Sequence, residues 1–282
     1  MIDYRAKLFG SIVTFNPDIQ VFEKNIQAIR SQINLIVIVD NNSKNINAIN
    51  EIALRYKCEL IYNESNMGIA TALNQASAFG LSSGFEWMLA LDQDSECPPT
   101  FCKILSSYFD NPRIGIVAPV IQDRDSGIIG HNPKGEYRKV RTCITSGSCT
   151  RLSAWEAVNG YDERMFIDSV DFDFCYRLRK AGYEVIQTSD VTLLHSLGEF
   201  KRTKLLKIHY SEHSAFRYYY MARNNIFYPK KNRLYILVLR GFLRNVSLFF
   251  RILCLEENKK GKLLSVLKGC VDGIKMPIEK KD

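Results

Sequence analysis

An apolar run at residues 87–91 ends abruptly in two aspartates, Asp92 and Asp94, separated by one residue. A short run of this kind is typical of a buried strand in an α/β sheet. The aspartates would then lie at the carboxyl end of the strand, where open α/β sheets bind ligands. Because crowded carboxylates repel each other, the pair indicates either a hard divalent cation shared with substrate phosphates or a polar turn.

The first half of the chain alternates between strand and helix patterns, which predicts a parallel, doubly wound sheet. Strands are predicted at residues 8–15, 35–39, 59–62, 87–91 and 115–120, with helices at 19–31, 46–56 and 69–78. Residues 123–139 are predicted to form a loop or hairpin region, followed by a strand at 140–150. A short helix at 154–158, a helix at 170–181 and two short strands at 183–187 and 191–194 complete this part.

Composition limits the class of protein and its compartment. The 282 residues are 46% hydrophobic, enough for a sizeable core. Asp3, Arg5 and Lys7 interrupt the start and the first apolar run, at residues 8–15, is only strand-length, so no secretory signal is predicted. The eight cysteines are scattered without a Cys-x-x-Cys motif, which favours reduced thiols in the cytoplasm. The net charge of +8 suits phosphorylated substrates or anionic membranes. No nucleic-acid-binding motif accompanies it, so nucleic acid is not expected as a partner.

The region beyond residue 200 is predicted to be helical and basic. Residues 234–255 are strongly apolar, but Arg240, Arg244 and Arg251 interrupt them and share one helical face with Arg233. A membrane-spanning helix would not tolerate such a stripe at mid-depth. Two interpretations stay open: a helix lying in the interface of an anionic membrane, or a helix packed on its own domain with arginine heads in water.

Three further patterns are candidates for a site. Asp40 follows the second strand and can accept a hydrogen bond from a base or ribose, or simply form a polar loop. Asn66 and Gly68 lie at the start of a predicted helix. Small residues there either allow a ligand to approach closely or serve only as a helix cap. A third pattern places Asp168, Asp171 and Asp173 around a helix start, more acids than helix capping alone requires.

In combination these motifs resemble the inverting nucleotide-sugar glycosyltransferases of family 2, which have the GT-A fold. The resemblance covers residues 7–228 and is greatest to bacterial rhamnosyltransferases. Its motifs are Thr14-Phe15-Asn16-Pro17, Asp40-Asn41-Asn42-Ser43, Asn66-Met67-Gly68, Leu91-Asp92-Gln93-Asp94-Ser95, Phe166-Ile167-Asp168-x-x-Asp171, His195 and the run from His213 to Asn224.

The resemblance implies a GT-A type α/β fold with a doubly wound mixed sheet. We expect a glycosyltransferase domain at residues 1–200, with a Rossmann-like nucleotide-sugar half at 1–95 and an acceptor half at 96–200. A basic, helical C-terminal region would follow at 201–282.

The resemblance also implies site residues. Asp171 would be the catalytic base, and a divalent cation, Mg²⁺ or Mn²⁺, would be bound by Asp92, Asp94 and His195. The residues expected at the nucleotide sugar are Thr14, Asn16, Asp40, Asn66, Gly68, Asp92, Arg217 and Arg223, with the loop at 201–202 as a further diphosphate clamp. The residues expected at the acceptor are Ser146, Gly147, Trp155, Asp168 and Asp173, although Asp168 could instead cap the helix.

The expected activity is transfer of L-rhamnose from dTDP-L-rhamnose, with inversion, to a hydroxyl of a lipid-linked or polymeric bacterial surface glycan. Alternatives are a different donor (UDP-galactofuranose or a UDP-hexose), a metal-dependent phosphohydrolase that uses Asp92, or a non-catalytic glycan- or nucleotide-binding module. The expected location is the bacterial cytoplasm, at the inner face of the membrane if the C-terminal region binds lipid.

Overall fold

A computed structural model describes residues 3–123, 127–195, 200–202 and 209–278, with backbone only at 195, 200–202 and 209–211. In chain order the elements are β1 (Leu8–Thr14), α1 (Ile19–Arg30), β2 (Ile36–Asp40), α2 (Ile46–Tyr56), β3 (Glu59–Tyr62), α3 (Gly68–Ser82), β4 (Trp87–Asp92), α4 (Phe101–Ser106), β5 (Ile114–Asp123), β6 (Gly127–Ile129), β7 (Tyr137–Lys139), β8 (Cys149–Arg151), α5 (Leu152–Ala157), α6 (Val170–Lys180), β9 (Glu184–His195), β10 (Phe200–Arg202), β11 (His209–Ser211), α7 (Ala215–Lys231), α8 (Tyr235–Leu255) and α9 (Lys259–Lys275).

The main sheet is mixed and has the order β3-β2-β1-β4-β8-β5-β9-β7, with β6 paired to β5. Strands β3, β2, β1 and β4 are parallel, as the alternating strand and helix patterns predict. Strand β8 runs antiparallel between β4 and β5, which makes the sheet mixed. The predicted doubly wound mixed α/β architecture is therefore confirmed.

The apolar strands form the core because helices cover them. Strand β2 is buried along its whole length, and the amphipathic helix α1 buries Phe22, Ile26 and Ile29. Its start is fixed by Asp18, whose carboxylate accepts hydrogen bonds from two backbone N–H groups of the first turn. Trp87 stacks on Phe109 with ring centroids 4.1 Å apart. This packing buries the strands whose carboxyl ends carry the predicted site residues.

The segment before β8 differs from the prediction. Residues 123–139, predicted as a loop or hairpin region, contribute β6 and β7, whereas the predicted strand at 140–150 is strand only at Cys149–Arg151. The cause is a turn in which the Ser148 N–H donates to the Thr145 carbonyl and Gly147 has a φ of +78°. The two short strands predicted at 183–187 and 191–194 form the single strand β9.

The chain forms two compact units that interleave along the sequence. The first unit comprises Met1–Glu163 and Asp171–Ser196, and the second comprises Arg164–Val170 and Leu197–Asp282. The predicted boundary at residues 200–201 stays a prediction, but the short segment at 164–170 was not expected to join the C-terminal helices.

Helices α7, α8 and α9 pack against one another in the second unit. Helices α8 and α9 approach α7 closely at three glycines, Gly241, Gly269 and Gly273. A Cβ at any of these positions would lie within 2.5 Å of a backbone oxygen of α7. The small core between them includes Tyr218 and Ile252. Across the described ranges, no helix combines the length and the apolar composition needed to cross a membrane.

Candidate active site

The carboxyl ends of three parallel strands bring predicted site residues together at one edge of the sheet. Strand β1 ends at Thr14, which pairs in register with Asp40 at the end of β2. On the other side of β1, Val13 pairs with Asp92 at the end of β4. The first-unit residues expected at the nucleotide therefore meet at the edge where α/β sheets bind ligands.

Asp40 is fully buried and its carboxylate is held by protein donors. The Thr14 hydroxyl donates to Oδ1 at 2.8 Å, and the Ser43 backbone N–H donates to Oδ2 at 2.8 Å. The Ser43 hydroxyl also donates to Oδ1 at 2.5 Å. These bonds make Asp40 and Thr14 organisers of the loop after β2. Contact of either residue with a nucleotide stays a prediction, since it requires the loop to expose them.

Asn16, Asn66 and Gly68 lie in loops beside this edge. The exposed Asn16 accepts a hydrogen bond from the Lys44 N–H at 2.8 Å and so ties the loop after β1 to the loop after β2. Asn66 accepts from the Gly68 N–H at 2.9 Å, and Gly68 has a φ of +83° that favours glycine. The three residues shape the start of α3 and the neighbouring loop, and their contacts with a nucleotide remain untested.

The turn after β4 presents Asp92 and Asp94 differently. Asp92 is half-buried, and its carbonyl accepts hydrogen bonds from the Asn25 amide at 2.8 Å and the Ser95 N–H at 3.2 Å. Asp94 is exposed. Asn25 was missed by sequence reasoning, although a polar residue on the apolar face of α1 could have identified it. The turn is rigidly supported while the Asp94 carboxylate faces outward.

A cleft of about 990 Å³ lies beside this turn, large enough for a ligand of nucleotide-sugar size. Its lining includes Asp18, Lys24, Asn25, Gln93, Asp94, Glu96, Gln122 and Thr192. Eight of its thirteen lining residues are polar, with Lys24 as a cation and three carboxylates, Asp18, Asp94 and Glu96. Such a cleft is chemically suited to a polar ligand bound together with a cation.

The two aspartates fit a divalent cation, because carboxylate oxygens are the ligands that Mg²⁺ and Mn²⁺ prefer. His195 ends β9, where its backbone pairs with Asp123, but its side chain lies outside the described residues. Among the residues that the structure describes, no three His, Cys, Asp or Glu side chains are grouped for a metal. Asp92 and Asp94 could hold a cation together with substrate oxygens and water, and His195 stays a predicted third ligand.

Ser146 and Gly147 support the turn after β4. The Ser146 hydroxyl is buried, accepts a hydrogen bond from the Asp92 N–H at 3.1 Å and lies 2.9 Å from the Ser95 hydroxyl. A Cβ on Gly147 would lie 2.6 Å from Leu193, so a larger residue would not fit. Ser146 therefore positions the backbone of Asp92, and the role of both residues at an acceptor stays a prediction.

Trp155 is half-buried on α5, and its side chain is hydrogen-bonded to another residue of the first unit. Its indole N–H donates to Asn74 Oδ1 at 3.0 Å, and the Asn74 amide donates to the Tyr161 carbonyl at 2.9 Å. These bonds connect α3 to the segment after α5. Contact of Trp155 with an acceptor stays a prediction.

Asp171 lies in the first turn of α6 and is half-buried. Its Oδ1 accepts a hydrogen bond from the Phe172 N–H at 2.9 Å. Burial, and to a smaller extent the negative charge of Asp171, raises the pKa of Tyr161. The Asp171 carboxylate lies at a helix N-terminus, which favours the ionised form of a carboxylate, and it is partly shielded from water. Both properties suit a proton acceptor.

Asp173 is buried and paired with Arg177 in the first unit, and its contact with the acceptor stays a prediction. It is buried, and the Arg177 Nε donates to its Oδ2 at 2.7 Å. Arg177 also donates to the Val158 carbonyl at 2.5 Å. The acid thus joins α6 to the end of α5 and does not reach solvent.

Asp168 and Arg217 form an ion pair in the second unit, 3.4 Å apart. Burial raises the pKa of Asp168, while the positive charge of Arg217 opposes that change. One carboxylate oxygen of Asp168 has no hydrogen-bond partner among the described residues. Roles of Asp168 at the acceptor and of Arg217 at the diphosphate stay predictions. The loop at 201–202 lies outside the residues whose side chains are described.

Arg223 and Asn224 hold the segment at residues 164–170, and Arg223 is therefore not a free diphosphate clamp. The Arg223 guanidinium is buried and donates to the carbonyls of Arg164 and Met165, the latter at 2.9 Å. The Asn224 amide donates to the carbonyls of Met165, Ile167 and Asp168, each at 2.8 Å. Asn224 was missed as a functional position, although it is part of the motif that contains Arg223.

Comparison with known proteins identifies relatives of the chain. A model of the glycosyl transferase family 2 domain matches residues 11–163. The chain is 29% identical to dTDP-rhamnosyl transferase RfbF of Shigella flexneri over 286 residues, covering 96% of each chain. It is 25% identical over 201 residues to an N-acetylglucosaminyl-diphospho-decaprenol L-rhamnosyltransferase of Mycobacterium tuberculosis, covering 57% of this chain and 66% of the relative.

Solved structures share the fold. The mannosyltransferase PcManGT of Pyrobaculum calidifontis, in complex with GDP-Man and Mn²⁺, aligns with a TM-score of 0.61 at 14% identity over 95% of this chain and 87% of its own. TarS 1–349 of S. aureus in complex with UDP-GlcNAc aligns with a TM-score of 0.60 at 14% identity over 95% and 81%. These similarities confirm the predicted GT-A fold.

Proposed function

The chain belongs to glycosyl transferase family 2 and is a glycosyltransferase, and we propose that it moves L-rhamnose from dTDP-L-rhamnose to a hydroxyl of a bacterial surface glycan. The observation that carries the donor assignment is the end-to-end similarity to the dTDP-rhamnosyl transferase RfbF. The polar cleft beside Asp94 supports a nucleotide sugar as the ligand. The acceptor would be lipid-linked or polymeric.

Asp171 would act as the base. In the proposed reaction the acceptor hydroxyl oxygen attacks the anomeric carbon, Asp171 takes the hydroxyl proton, and the bond from the sugar to the diphosphate breaks. dTDP leaves from the opposite face, so the configuration is inverted. The position of Asp171 in the first turn of α6 supports this role, because the helix N-terminus keeps a carboxylate ionised and ready to accept the proton.

The proposed enzyme depends on a divalent cation held by Asp92 and Asp94, with His195 as a third proposed ligand. When bound, such a cation neutralises the negative charge that develops on the diphosphate leaving group. Ser146 and Asn25 would fix the backbone around Asp92, so that the carboxylates need little rearrangement on binding. The Mn²⁺ in the mannosyltransferase complex supports this proposal by analogy of fold.

A donor panel tests the proposed substrate. Thermal unfolding is measured with dTDP-L-rhamnose, UDP-galactofuranose and a UDP-hexose, each with Mn²⁺ and with EDTA. We expect dTDP-L-rhamnose with Mn²⁺ to raise the Tm most, and EDTA to remove the increase. A larger increase with a UDP sugar would refute the donor, and release of inorganic phosphate from the donor would indicate a phosphohydrolase.

The metal site is tested by replacing Asp94. We expect Asp94→Ala to abolish transfer and the Mn²⁺-dependent increase in Tm, while the Tm without ligand stays unchanged because the side chain is exposed. Glu96→Gln is the matched control, since Glu96 is an exposed acid in the same cleft. Turnover that persists in EDTA would refute the metal requirement.

The proposed compartment is the bacterial cytoplasm, at the inner face of the membrane. The support for this compartment is the scattered spacing of the eight cysteines, without a Cys-x-x-Cys motif, which favours reduced thiols. Fractionation of a bacterium that produces the chain, with thiol labelling of the intact cells, would test this location.

A further inference from the structure

Helix α8 exposes an apolar row along its whole length. Six of its residues recur at alternating intervals of three and four, and each has more than 40% of its surface exposed. They are Ile236, Leu239, Leu243, Val246, Phe250 and Leu253. Tyr235 and Phe242 are exposed beside them and widen the row. A soluble protein rarely leaves a contiguous apolar strip of this length in water.

Helix α9 exposes a second row of the same kind. Leu264, Leu267, Val271 and Ile274 follow the same spacing, and each is about half exposed. The opposite side of α9 is buried at Val266, Gly269 and Gly273. Both helices therefore use one side for packing and leave another apolar side uncovered.

The two rows adjoin each other. On α8, a Cβ at Gly241 would meet the backbone of α7, and Asn245, one turn further, donates to Cys270 of α9 at 3.1 Å. On α9, Gly269 contacts α7 while Cys270 contacts α8. At about 3.6 residues per turn, each helix presents three surfaces in order around its axis: one toward α7, one toward the other helix of the pair, and the exposed row. The two exposed rows therefore lie next to the α8–α9 contact. We call the combined surface the α8–α9 face.

The surroundings of this face are positively charged. Residues 233–278 contain nine lysines and arginines against three acids. One of the acids, Glu256, is buried and paired with Lys262 at 3.1 Å. Arg240 and Arg244 are exposed beside the row on α8. Arg251 turns inward instead, donating to the Tyr218 hydroxyl at 3.1 Å.

We propose that the α8–α9 face lies in the interface of an anionic lipid membrane, with the apolar rows among the acyl chains and the cations at the headgroups. The positive charge complements anionic lipid, whereas a second copy of this chain would bring like charges together. The width of the apolar surface also favours a lipid interface over the narrow seam of a coiled coil. This inference is independent of the donor and acceptor assignments.

Vesicle flotation of the full chain tests the proposal. We expect binding to phosphatidylcholine vesicles that contain phosphatidylglycerol, weaker binding at high salt, and little binding to pure phosphatidylcholine. The double variants Leu243→Asp/Phe250→Asp on α8 and Leu267→Asp/Val271→Asp on α9 should each lose binding at least tenfold. Leu54→Asp is the matched control, because Leu54 is 72% exposed on α2 in the first unit and should leave binding unchanged.

The charge contribution is tested with Arg240→Glu/Arg244→Glu, which leaves the internal contacts of Arg251 intact. We expect a loss of affinity for anionic vesicles of about thirtyfold or more, since two surface cations contribute about 2 kcal/mol and the two glutamates add repulsion. A polarity-sensitive dye on Cys254, an exposed thiol of α8, should shift to the blue on vesicle addition.

Three results would overturn the proposal. They are equal binding to neutral and anionic vesicles at all salt concentrations, no binding to either, and a stable dimer without lipid that the α8 double variant dissociates. The last result would assign the face to a second copy of the chain. Circular dichroism and Tm of each variant establish that any loss of binding occurs in a folded protein.

Discussion

Asp171 provides the sharpest test of the proposed chemistry at the scale of single residues. Asp171→Asn keeps the shape of the side chain but removes its capacity to accept a proton. We expect the transfer rate to fall roughly a hundredfold or more, the usual magnitude for loss of a general base. Donor affinity and Mn²⁺ dependence should be unchanged. Near-normal turnover of this variant would exclude Asp171 as the base.

Asp173, two residues further along α6, should behave differently. Because it is buried against Arg177, Asp173→Asn should lower the free energy of unfolding by about 3–5 kcal/mol, as expected when a buried pair loses one charge. Chemical denaturation measures this loss, and acceptor KM should not change in the folded fraction. An increased KM with unchanged stability would support the acceptor role that the sequence suggested.

His213 gives the stability of the second unit a dependence on pH. Burial, reinforced by the positive charges of Arg217 and Arg251, lowers the pKa of His213 to about 4, from 6.5 in the unfolded chain. The folded state therefore favours neutral histidine, so its contribution is complete above pH 6.5 and is lost as the pH falls toward 4. We expect the Tm to fall less between pH 7.5 and 5 in His213→Gln than in the natural chain. Identical slopes would contradict this.

The sequence predicts which residues lie at the edge of the sheet better than it predicts where their side chains point. The position of Asp92 and Asp94 follows from an apolar strand that ends in acids. The inward orientation of Arg223 depends on partners distant in sequence, the carbonyls of Arg164 and Met165, which helical periodicity cannot reveal. The pairing of Asp173 with Arg177, four residues further along α6, is within reach of helical periodicity.

At the scale of helices, the fit of α9 against α7 depends on glycine. A Cβ at Gly269 would lie 2.3 Å from the Tyr219 carbonyl oxygen, so Gly269→Ala should destabilise the protein by about 1–3 kcal/mol. Gly261→Ala in the same helix is the matched control, because no atom lies within 4 Å of its Cβ position. It should be neutral or stabilising by up to about 1 kcal/mol. Equal effects in thermal unfolding would refute close packing.

Helices and strands with a strong hydrophobic periodicity are predictable from the sequence, whereas segments whose path is set by a turn are not. Strands β1, β2 and β4 and helices α1 and α2 were predicted almost to their ends, because the apolar pattern coincides with burial. The stretch before β8 failed because its apolar residues resemble a strand. The turn at Thr145–Ser148 bends the chain instead, so that Ser146 reaches Asp92.

At the scale of the whole molecule, the two units are interleaved in a way that no local pattern predicts. The segment at 164–170 belongs to the second unit because Arg223 and Asn224 bind its carbonyls. Asp171 follows directly in the chain. The segment held by Arg223 and Asn224 therefore ends one residue before the proposed base.

Removing residues 212–282 should separate nucleotide binding from transfer. The truncated chain keeps the strands that carry Asp40, Asp92 and Asp94, so we expect it to retain the Mn²⁺-dependent increase in Tm with dTDP. The truncated chain lacks the Arg223 and Asn224 side chains, which donate hydrogen bonds to the segment at 164–170. The transfer rate should therefore fall far more than the affinity for the nucleotide sugar. In the full chain, Asn224→Ala should reproduce this separation more weakly, because only the amide donors are lost. Full transfer activity in a folded truncated chain would show that the segment keeps its conformation without the C-terminal helices.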